Sequence, residues 1–385
     1  MRDVAIVGAG QSTFGDHPDA SIKELFADSY GQMTESVDHN YDPVAVDAAY
    51  IGTLGVGGYQ LGIAGALLTS FVGLTGLPVH RVENACASSG FALLNAIQAV
   101  GTGTADVALA GGVEKMSDLS SDRVKYWLGV SGDTEYERLA GTTFAGLYAI
   151  MTQRYLFETD ATHDHLAEVA VKNHANGVLN DEAHFQREIT LEDARDAPTV
   201  AAPLTLYDAC PTSDGAASAL VVPAEEAKQY TDTPVYLTGF GAGSDYLALH
   251  DRDTITGIPA AHEAAAEAFE RASRTPDEID FAEVHDCFTI AELLAYEDLG
   301  FAARGEGWQL IEDDVTTSNG ALPINTSGGL KAKGHPLGAT GLGQAVEVFK
   351  QLRGEAGPRQ LDGEVALSHN VGGSGGAATV FVYET

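Results

Sequence analysis

Basic residues are scarce in this chain. Its 385 residues hold 21 lysines and arginines, only eight of them lysine, against 55 aspartates and glutamates, which gives a formal net charge of −34 at neutral pH. A surplus of that size repels nucleic acid and anionic membrane surfaces, so neither is expected as a partner. It suits a protein kept soluble in concentrated salt, where repulsion is screened over about 3 Å at 1 M, and predicts salt adaptation. Cysteine is rarer still. Cys86, Cys210 and Cys287 are odd in number and without Cys-x-x-Cys spacing; this speaks against a disulfide framework and a zinc site and predicts a reducing, cytoplasmic setting.

Long apolar runs are missing as well. The opening MRDVAIVGAG enters a strand-like segment without the features of a signal peptide. One uncharged stretch, Gly62 to Val79, approaches spanning length, but Gly62, Gly65, Gly73, Gly76, Thr69, Ser70 and Pro78 interrupt it. It reads as a buried, closely packed helix and loop, and no membrane span is expected. What the chain does have is 44% hydrophobic residues, enough for two domains or one large layered unit.

The two ends of the chain repeat one pattern. Val4-Ala-Ile-Val-Gly-Ala-Gly10 is echoed by Val235-Tyr-Leu-Thr-Gly-Phe-Gly241, each an apolar run ending in Gly-x-Gly. Helical spacing follows in both, over 22–37 and 260–272, and then an acidic residue entering a strand, at 46–51 and 279–284. Glycine-flanked helices at 88–100 and 338–352 lead to strands at 107–112 and 365–370. This order predicts an α/β fold with two duplicated halves, each with a mainly parallel sheet covered by helices. Between them, from Met116 to Pro203, charge and aromatics rise and the rhythm fades, as in an insertion; 216–222 reads as the last strand of the first half. The expected division is 1–115 with 204–230, an inserted domain 116–203, and 231–385.

Five segments are candidates for chemistry. Gly8-Ala-Gly10 resembles the start of a dinucleotide fingerprint, but Thr13 stands where the third glycine would be, so a tight strand-to-helix turn is expected. Cys86, in Asn84-Ala-Cys-Ala-Ser-Ser-Gly90, precedes a helix whose positive end and free N–H groups are expected to lower its pKa and favour thiolate. His335 lies in a glycine-rich run, Asn325-Thr-Ser-Gly-Gly-Leu-Lys-Ala-Lys-Gly-His335-Pro-Leu-Gly-Ala-Thr-Gly341, at the place in the second half that Cys86 has in the first. A thiol and an imidazole at such related helix starts would face a common centre, as an activated nucleophile requires. His285 and Cys287, in Val284-His-Asp-Cys-Phe-Thr289, and His369, in Ser368-His-Asn-Val-Gly-Gly-Ser-Gly-Gly376, end repeated strands, where open α/β sheets place ligands.

Together these motifs resemble the thiolases over nearly the whole chain: Cys86-Ala-Ser88 is similar to the family's CxS motif, Gly334-His335-Pro336 to its GHP motif, and His285-Asp-Cys-Phe288 to the HDCF variant of sterol-carrier-protein-type and archaeal members. Cys210-Pro-Thr-Ser-Asp-Gly-Ala resembles another segment of that branch. The resemblance implies the five-layered αβαβα thiolase fold, built from two βαβαβαββ halves, with the inserted domain forming much of the coenzyme A site and the oligomer contacts. It implies acyl transfer between coenzyme A thioesters through an acyl group on Cys86, with no permanently bound cofactor and no metal. His335 would activate Cys86 and, with a water oriented by His285, stabilise an enolate oxygen; the N–H groups of Cys86 and Gly372 would form a second oxyanion hole. The family's CxG acid/base cysteine is absent, since the loop reads His369-Asn370-Val-Gly372, which leaves Cys287 or His369 for that proton. For the coenzyme A phosphates the candidate cations are Arg123, Lys125, Arg138 and Arg154. The resemblance further implies a homodimer or homotetramer, a small zinc-ribbon/OB-fold subunit and a hydroxymethylglutaryl-CoA synthase as partners, and a place in isoprenoid (mevalonate) or polyhydroxyalkanoate synthesis. A β-ketoacyl synthase-like condensing enzyme and a non-catalytic acyl-CoA-binding or lipid-binding homologue are the alternatives.

Overall fold

In the computed structural model, which describes residues 1–385, the apolar runs become strands and the helical-period stretches pack across them. The first half runs β1 (Val4–Gln11), α1 (Ile22–Glu35), β2 (Ala48–Gly52), α2 (Ala64–Phe71), β3 (Val79–Val82), α3 (Ser88–Gly101) and β4 (Ala108–Glu114). An insertion follows: α4 (Ser121–Leu128), α5 (Phe144–Glu158), α6 (His163–Val178), α7 (Leu191–Arg195) and the hairpin β5 (Thr199–Ala201) and β6 (Leu204–Thr205). The expected boundary after Pro203 cuts that hairpin. The first half then closes with β7 (Gly215–Pro223).

The second half repeats the theme with β8 (Val235–Ser244), α8 (Pro259–Ala272), β9 (Phe281–Glu283), α9 (Thr289–Asp298), α10 (Gly307–Glu312), α11 (Gly329–Lys333), α12 (Thr340–Leu352), β10 (Val365–Gly372) and β11 (Ala377–Glu384). Its counterpart of β3 is reduced to a single bridge between Ala282 and Ile324.

The strands form one hydrogen-bonded series, β3-β2-β4-β7-β1-β8-β11-β10-β9. The two halves meet edge to edge where Val4, Ala5 and Ile6 of β1 pair antiparallel with Leu237, Tyr236 and Val235 of β8. The mainly parallel sheet expected from the sequence is not what forms. Only β2 with β3 and β4, and β9 with β10, run parallel. β11 returns from β10 through a turn too tight for a parallel crossover, and β7 re-enters from the insertion antiparallel to both β4 and β1.

Three apolar cores separate five layers. Phe26 and Met33 of α1 pack on the outer face of the first-half strands, against Ala5, Val7 and Leu220. Leu93 and Ile97 of α3 and Leu342 and Val346 of α12 fill the middle, between Ile6 and Val221 on one side and Phe281 and Phe381 on the other. Ala264 and Ala268 of α8, with Leu293 of α9, cover the outer face of the second-half strands. The central helices touch where a Cβ on Gly341 would lie 2.6 Å from the Gly90 nitrogen, so only glycine permits the crossing.

The Gly-x-Gly segments lie within strands rather than in strand-to-helix turns. A Cβ on Gly10 would lie 2.7 Å from the Gln32 carbonyl carbon of α1, and one on Gly241 would lie 2.9 Å from that of Ala264 in α8. They let a helix rest directly on the sheet. The uncharged stretch 62–79 departs from the expected buried packing: Ala64 and Leu68 are buried, but Ile63 is 79% and Phe71 49% exposed. It lies beside β3, the edge strand of the sheet. No helix is long and apolar enough to cross a membrane.

Candidate active site

The turn before α3 is tied by its own side chains. Ala85 takes a left-handed backbone (φ 50°); the Ser88 hydroxyl donates to the Ala85 carbonyl (2.6 Å) and accepts from the Asn84 N–H (3.1 Å). The serine two residues after the cysteine thus holds Cys86 in place. The sulfur packs among Leu54, Val56, Met116 and Leu337. Burial pushes its thiol up to about 12, although the Gly373 and Cys86 N–H groups pull it down. The thiolate expected from the helix terminus is therefore not the resting state. Complete desolvation of the charged form outweighs the dipole.

His335 approaches from the second half. Gly334 before it has φ 113°, and a Cβ there would meet the Ser213 hydroxyl at 2.8 Å; that hydroxyl accepts the His335 N–H (3.2 Å). His335 Nδ1 lies 2.7 Å from Thr340 Oγ1, whose own hydrogen goes to the Pro336 carbonyl (3.0 Å). Nδ1 must therefore donate, and the Nε2 lone pair is free. Burial lowers the ring to about 3, so it is neutral.

The neighbouring His285 carries the opposite tautomer. Asn370 Nδ2 donates to its Nδ1 (3.1 Å), which puts the ring proton on Nε2, a buried atom with no partner in the protein. Burial, followed by the charges of His335 and His369, drives its pKa far below the usual value. The two rings meet edge to face, centroids 5.1 Å apart. The Cys86 sulfur and one nitrogen from each ring lie within 4.8 Å of one another. These are donor types that metals use, but a protonated Nε2 offers a hydrogen rather than a lone pair.

All three cysteines converge on one cavity of about 350 Å³, lined by Cys86, Cys210, Cys287 and His335 and walled by Met116, Val124, Leu128, Phe144, Val200, Phe288 and Leu337. The Cys210 N–H donates to the Cys287 carbonyl (3.0 Å). Burial, then the nearby Cys210 and Cys86, raise the Cys287 thiol well above its ordinary value.

Three expected catalytic or oxyanion-hole residues are not in the cavity lining: His285, which meets Cys86 and His335 from behind it, His369 and Gly372. His369 is buried but does not line the cavity; its Nδ1 faces the His285 N–H at 3.5 Å. Gly373 lines the cavity with Cys86, whereas Gly372 does not. Gly372 still belongs to β10, and the backbone turns toward the cavity one residue later.

Of the four candidate cations, Lys125 lines the cavity beside Ser121 and Thr143. Arg138 stacks 4.4 Å over the Tyr126 ring. Arg123 is not in the lining, and Arg154 pairs with Glu158 (2.5 Å), also outside it. Asn370, Thr340 and Ser213 went unnoticed in the sequence. The alternation of strand side chains was a usable signal for Asn370, because His369 and Asn370 must face opposite ways and only one can look toward α3.

A thiol beside an imidazole lone pair, a second thiol and inward-pointing N–H donors can accept, hold and release an acyl group. Comparison with known proteins agrees. The family models described as "Thiolase, N-terminal domain" and "Thiolase C-terminal domain-like" match residues 4–225 and 241–385. The chain is 45% identical to an acetyl-CoA acetyltransferase of Methanothermobacter thermautotrophicus, over 100% of both chains. It is 38% identical to an acetyl-CoA acetyltransferase of Methanocaldococcus jannaschii, over 99% of both. Among solved structures, the Ltp2-ChsH2(DUF35) aldolase superposes with a TM-score of 0.86 at 26% identity, covering 100% of this chain and 98% of that one.

Proposed function

The chain belongs to the thiolase family, and on that premise we propose that it is an acetyl-CoA C-acyltransferase, condensing two acetyl-CoA to acetoacetyl-CoA or cleaving 3-ketoacyl-CoA. The observation that carries this reading is the meeting of Cys86 with His335 and His285 within 4.8 Å, at a cavity that also holds Cys287.

In the synthetic direction the Cys86 thiol attacks the thioester carbonyl while its proton passes to His335 Nε2, and the N–H groups of Gly373 and Cys86 receive the developing oxyanion. The departing coenzyme A thiolate takes a proton from Cys287, which leaves Cys287 as a thiolate beside an imidazolium. That pair serves the second step. Cys287 removes the α-proton of the second thioester, and the enolate oxygen accepts from His335 Nε2 and from a water held by His285 Nε2–H. The carbanion attacks the acyl group, and the released Cys86 sulfur takes the proton back from His335. Its raised pKa means that Cys287 starts the cycle protonated, as the acid of the first step must.

Lys125 at the cavity wall would meet a coenzyme A phosphate. The loop-domain division, a homo-oligomer, a partner like the DUF35 protein of the Ltp2-ChsH2 aldolase, a hydroxymethylglutaryl-CoA synthase, and a cytoplasmic role in mevalonate or polyhydroxyalkanoate synthesis are parts of the same reading. So is salt adaptation, for which a melting temperature that rises with KCl is the measurement.

The deciding test is acetoacetyl-CoA consumption with free coenzyme A in molar KCl, comparing the intact chain with Cys86→Ala. Thiolysis that vanishes in the variant supports the reading. Transfer from a malonyl carrier protein without coenzyme A would favour a β-ketoacyl synthase, and failure to trap acetyl on Cys86 would favour a binding homologue.

A further inference from the structure

We propose that Arg252 is a positioning residue for acyl transfer: its buried guanidinium fixes the turn between β10 and β11, and so holds the Gly373 N–H where the thioester oxyanion develops. The inference rests on the role proposed above for Gly373 and extends it to a residue outside the cavity lining.

The turn runs Gly372-Gly-Ser-Gly-Gly376, with Gly373 at φ 64° and Gly375 at φ 113°. It lies directly against the turn that carries the nucleophile, since a Cβ on Gly372 would stand 2.4 Å from the Asn84 carbonyl oxygen. The Gly372 carbonyl accepts the N–H groups of Gly375 (3.2 Å) and Gly376 (3.1 Å), so it points into the turn. The Gly373 N–H, at the opposite side of the same planar peptide, points out of it. It has no backbone acceptor, and Gly373 is buried in the cavity wall with Cys86. A buried donor left in that state suits an acceptor that the substrate brings. Four glycines in five residues do not hold such a donor still by themselves.

Arg252 supplies the fastening. Its side chain is 0% exposed, and the carboxylate that pairs with it, Asp245, stands 3.8 Å away. Three backbone carbonyls take its shorter contacts. Nη1 donates to Ser374 (2.8 Å), Nε to Tyr246 (2.7 Å) and Nη2 to Leu247 (3.2 Å). One planar fork thus joins the glycine turn to the segment that follows β8. That segment is tied in its turn to the inserted domain, where Glu137 accepts the Leu249 N–H (3.0 Å). The turn is pressed onto the guanidinium: a Cβ on Gly375 would lie 3.1 Å from Arg252 Nη1 and 2.9 Å from Ile258 Cγ2. Without the fork, the contacts left between turn and segment are the Ser374 hydroxyl to Leu247 (3.3 Å) and the Asp245 N–H to Gly376 (3.2 Å). A donor displaced by about 1 Å costs up to about 10²-fold in rate.

Arg252→Lys keeps the charge and replaces the fork by a single ammonium, which cannot reach three carbonyls at once. The test uses the full-length chain in molar KCl and compares two reactions of Cys86. Acetylation by acetyl-CoA, followed by rapid quench, builds an oxyanion; alkylation by iodoacetamide, followed by mass mapping, does not. The expected result is acetylation slowed about 10–100-fold, with alkylation and the KM for acetyl-CoA within about twofold of the intact chain. Unchanged acetylation in Arg252→Lys, while the intact chain is acetylated on Cys86, overturns the inference alone. Acetylation and alkylation altered by the same factor would show a generally disturbed site and overturn it too. An intact chain that takes no acetyl overturns the acyl-transfer reading itself. If Arg252→Lys does not fold, Arg252→Gln, which keeps two N–H donors without the charge, carries the same comparison.

Discussion

Thr340 decides which nitrogen of His335 is free. Its hydroxyl hydrogen is committed to Pro336, so at 2.7 Å it can only accept from Nδ1, and the lone pair is left on Nε2. Thr340→Val keeps the shape and removes the acceptor. A loss of about 10–100-fold in kcat, the range for groups that orient a functional histidine, is expected with little change in KM. Thr340→Ser should retain most activity. Equal rates for the valine and serine variants would show that the tautomer is fixed by something else.

Burial sets the pH behaviour of the nucleophile. His335, lowered to about 3, is already a neutral base at pH 6, so acidification from pH 7.5 to 6 should cost no activity through that ring. Cys86, raised to about 12, is almost wholly thiol at neutral pH. Its thiolate fraction rises tenfold per pH unit until the pKa is reached. Inactivation by iodoacetamide should therefore climb without a plateau between pH 7 and 10, whereas an ordinary cysteine near 8.5 would level off. A plateau near pH 8 would contradict the desolvated thiol.

Asn370 should matter to one half-reaction only. Asn370→Ala removes the donor that keeps the His285 proton on Nε2. Acetyl transfer from acetyl-CoA to Cys86 should persist, while acetoacetyl-CoA formation falls about 10–100-fold. Rapid-quench trapping separates the two. Loss of both steps would mean that His285 serves the first oxyanion as well.

Glu114 is a structural carboxylate under the site. It is buried and accepts N–H groups of Leu54, Gly55 and Val56 from the first half and of Gly338 from the second. Glu114→Gln keeps one carbonyl oxygen and turns an NH₂ toward donors. About 1–3 kcal/mol of stability should be lost, the cost of leaving buried N–H donors without an acceptor. Chemical denaturation of the two proteins measures it, and a difference below 1 kcal/mol would show that the N–H groups find other acceptors.

Much of this was legible in the chain. Apolar runs and helical spacing located both halves, and glycine-flanked helix starts singled out Cys86 and His335, because those patterns are local. The thiol of Cys86 was misjudged because helix position is visible in sequence and desolvation is not: burial depends on Leu54, Met116 and Leu337, each distant in the chain. Arg252, Thr340 and Asn370 escaped for a related reason. Each is an ordinary residue until the fold sets it beside the Gly373 turn, His335 or His285. The antiparallel direction of the closing strands β7 and β11 was missed because an apolar run carries no mark of its direction.

The edge-to-edge pairing of β1 with β8 bears on how such a chain can evolve. Cleaving the gene between its repeats would yield two fragments, each with a raw strand edge and a bare apolar face where α3 and α12 had met. Such pieces would aggregate before they could find each other. Descendants of the duplication are therefore bound to change in concert, and natural recombination should trade the insertion between β4 and β7 more readily than either repeat.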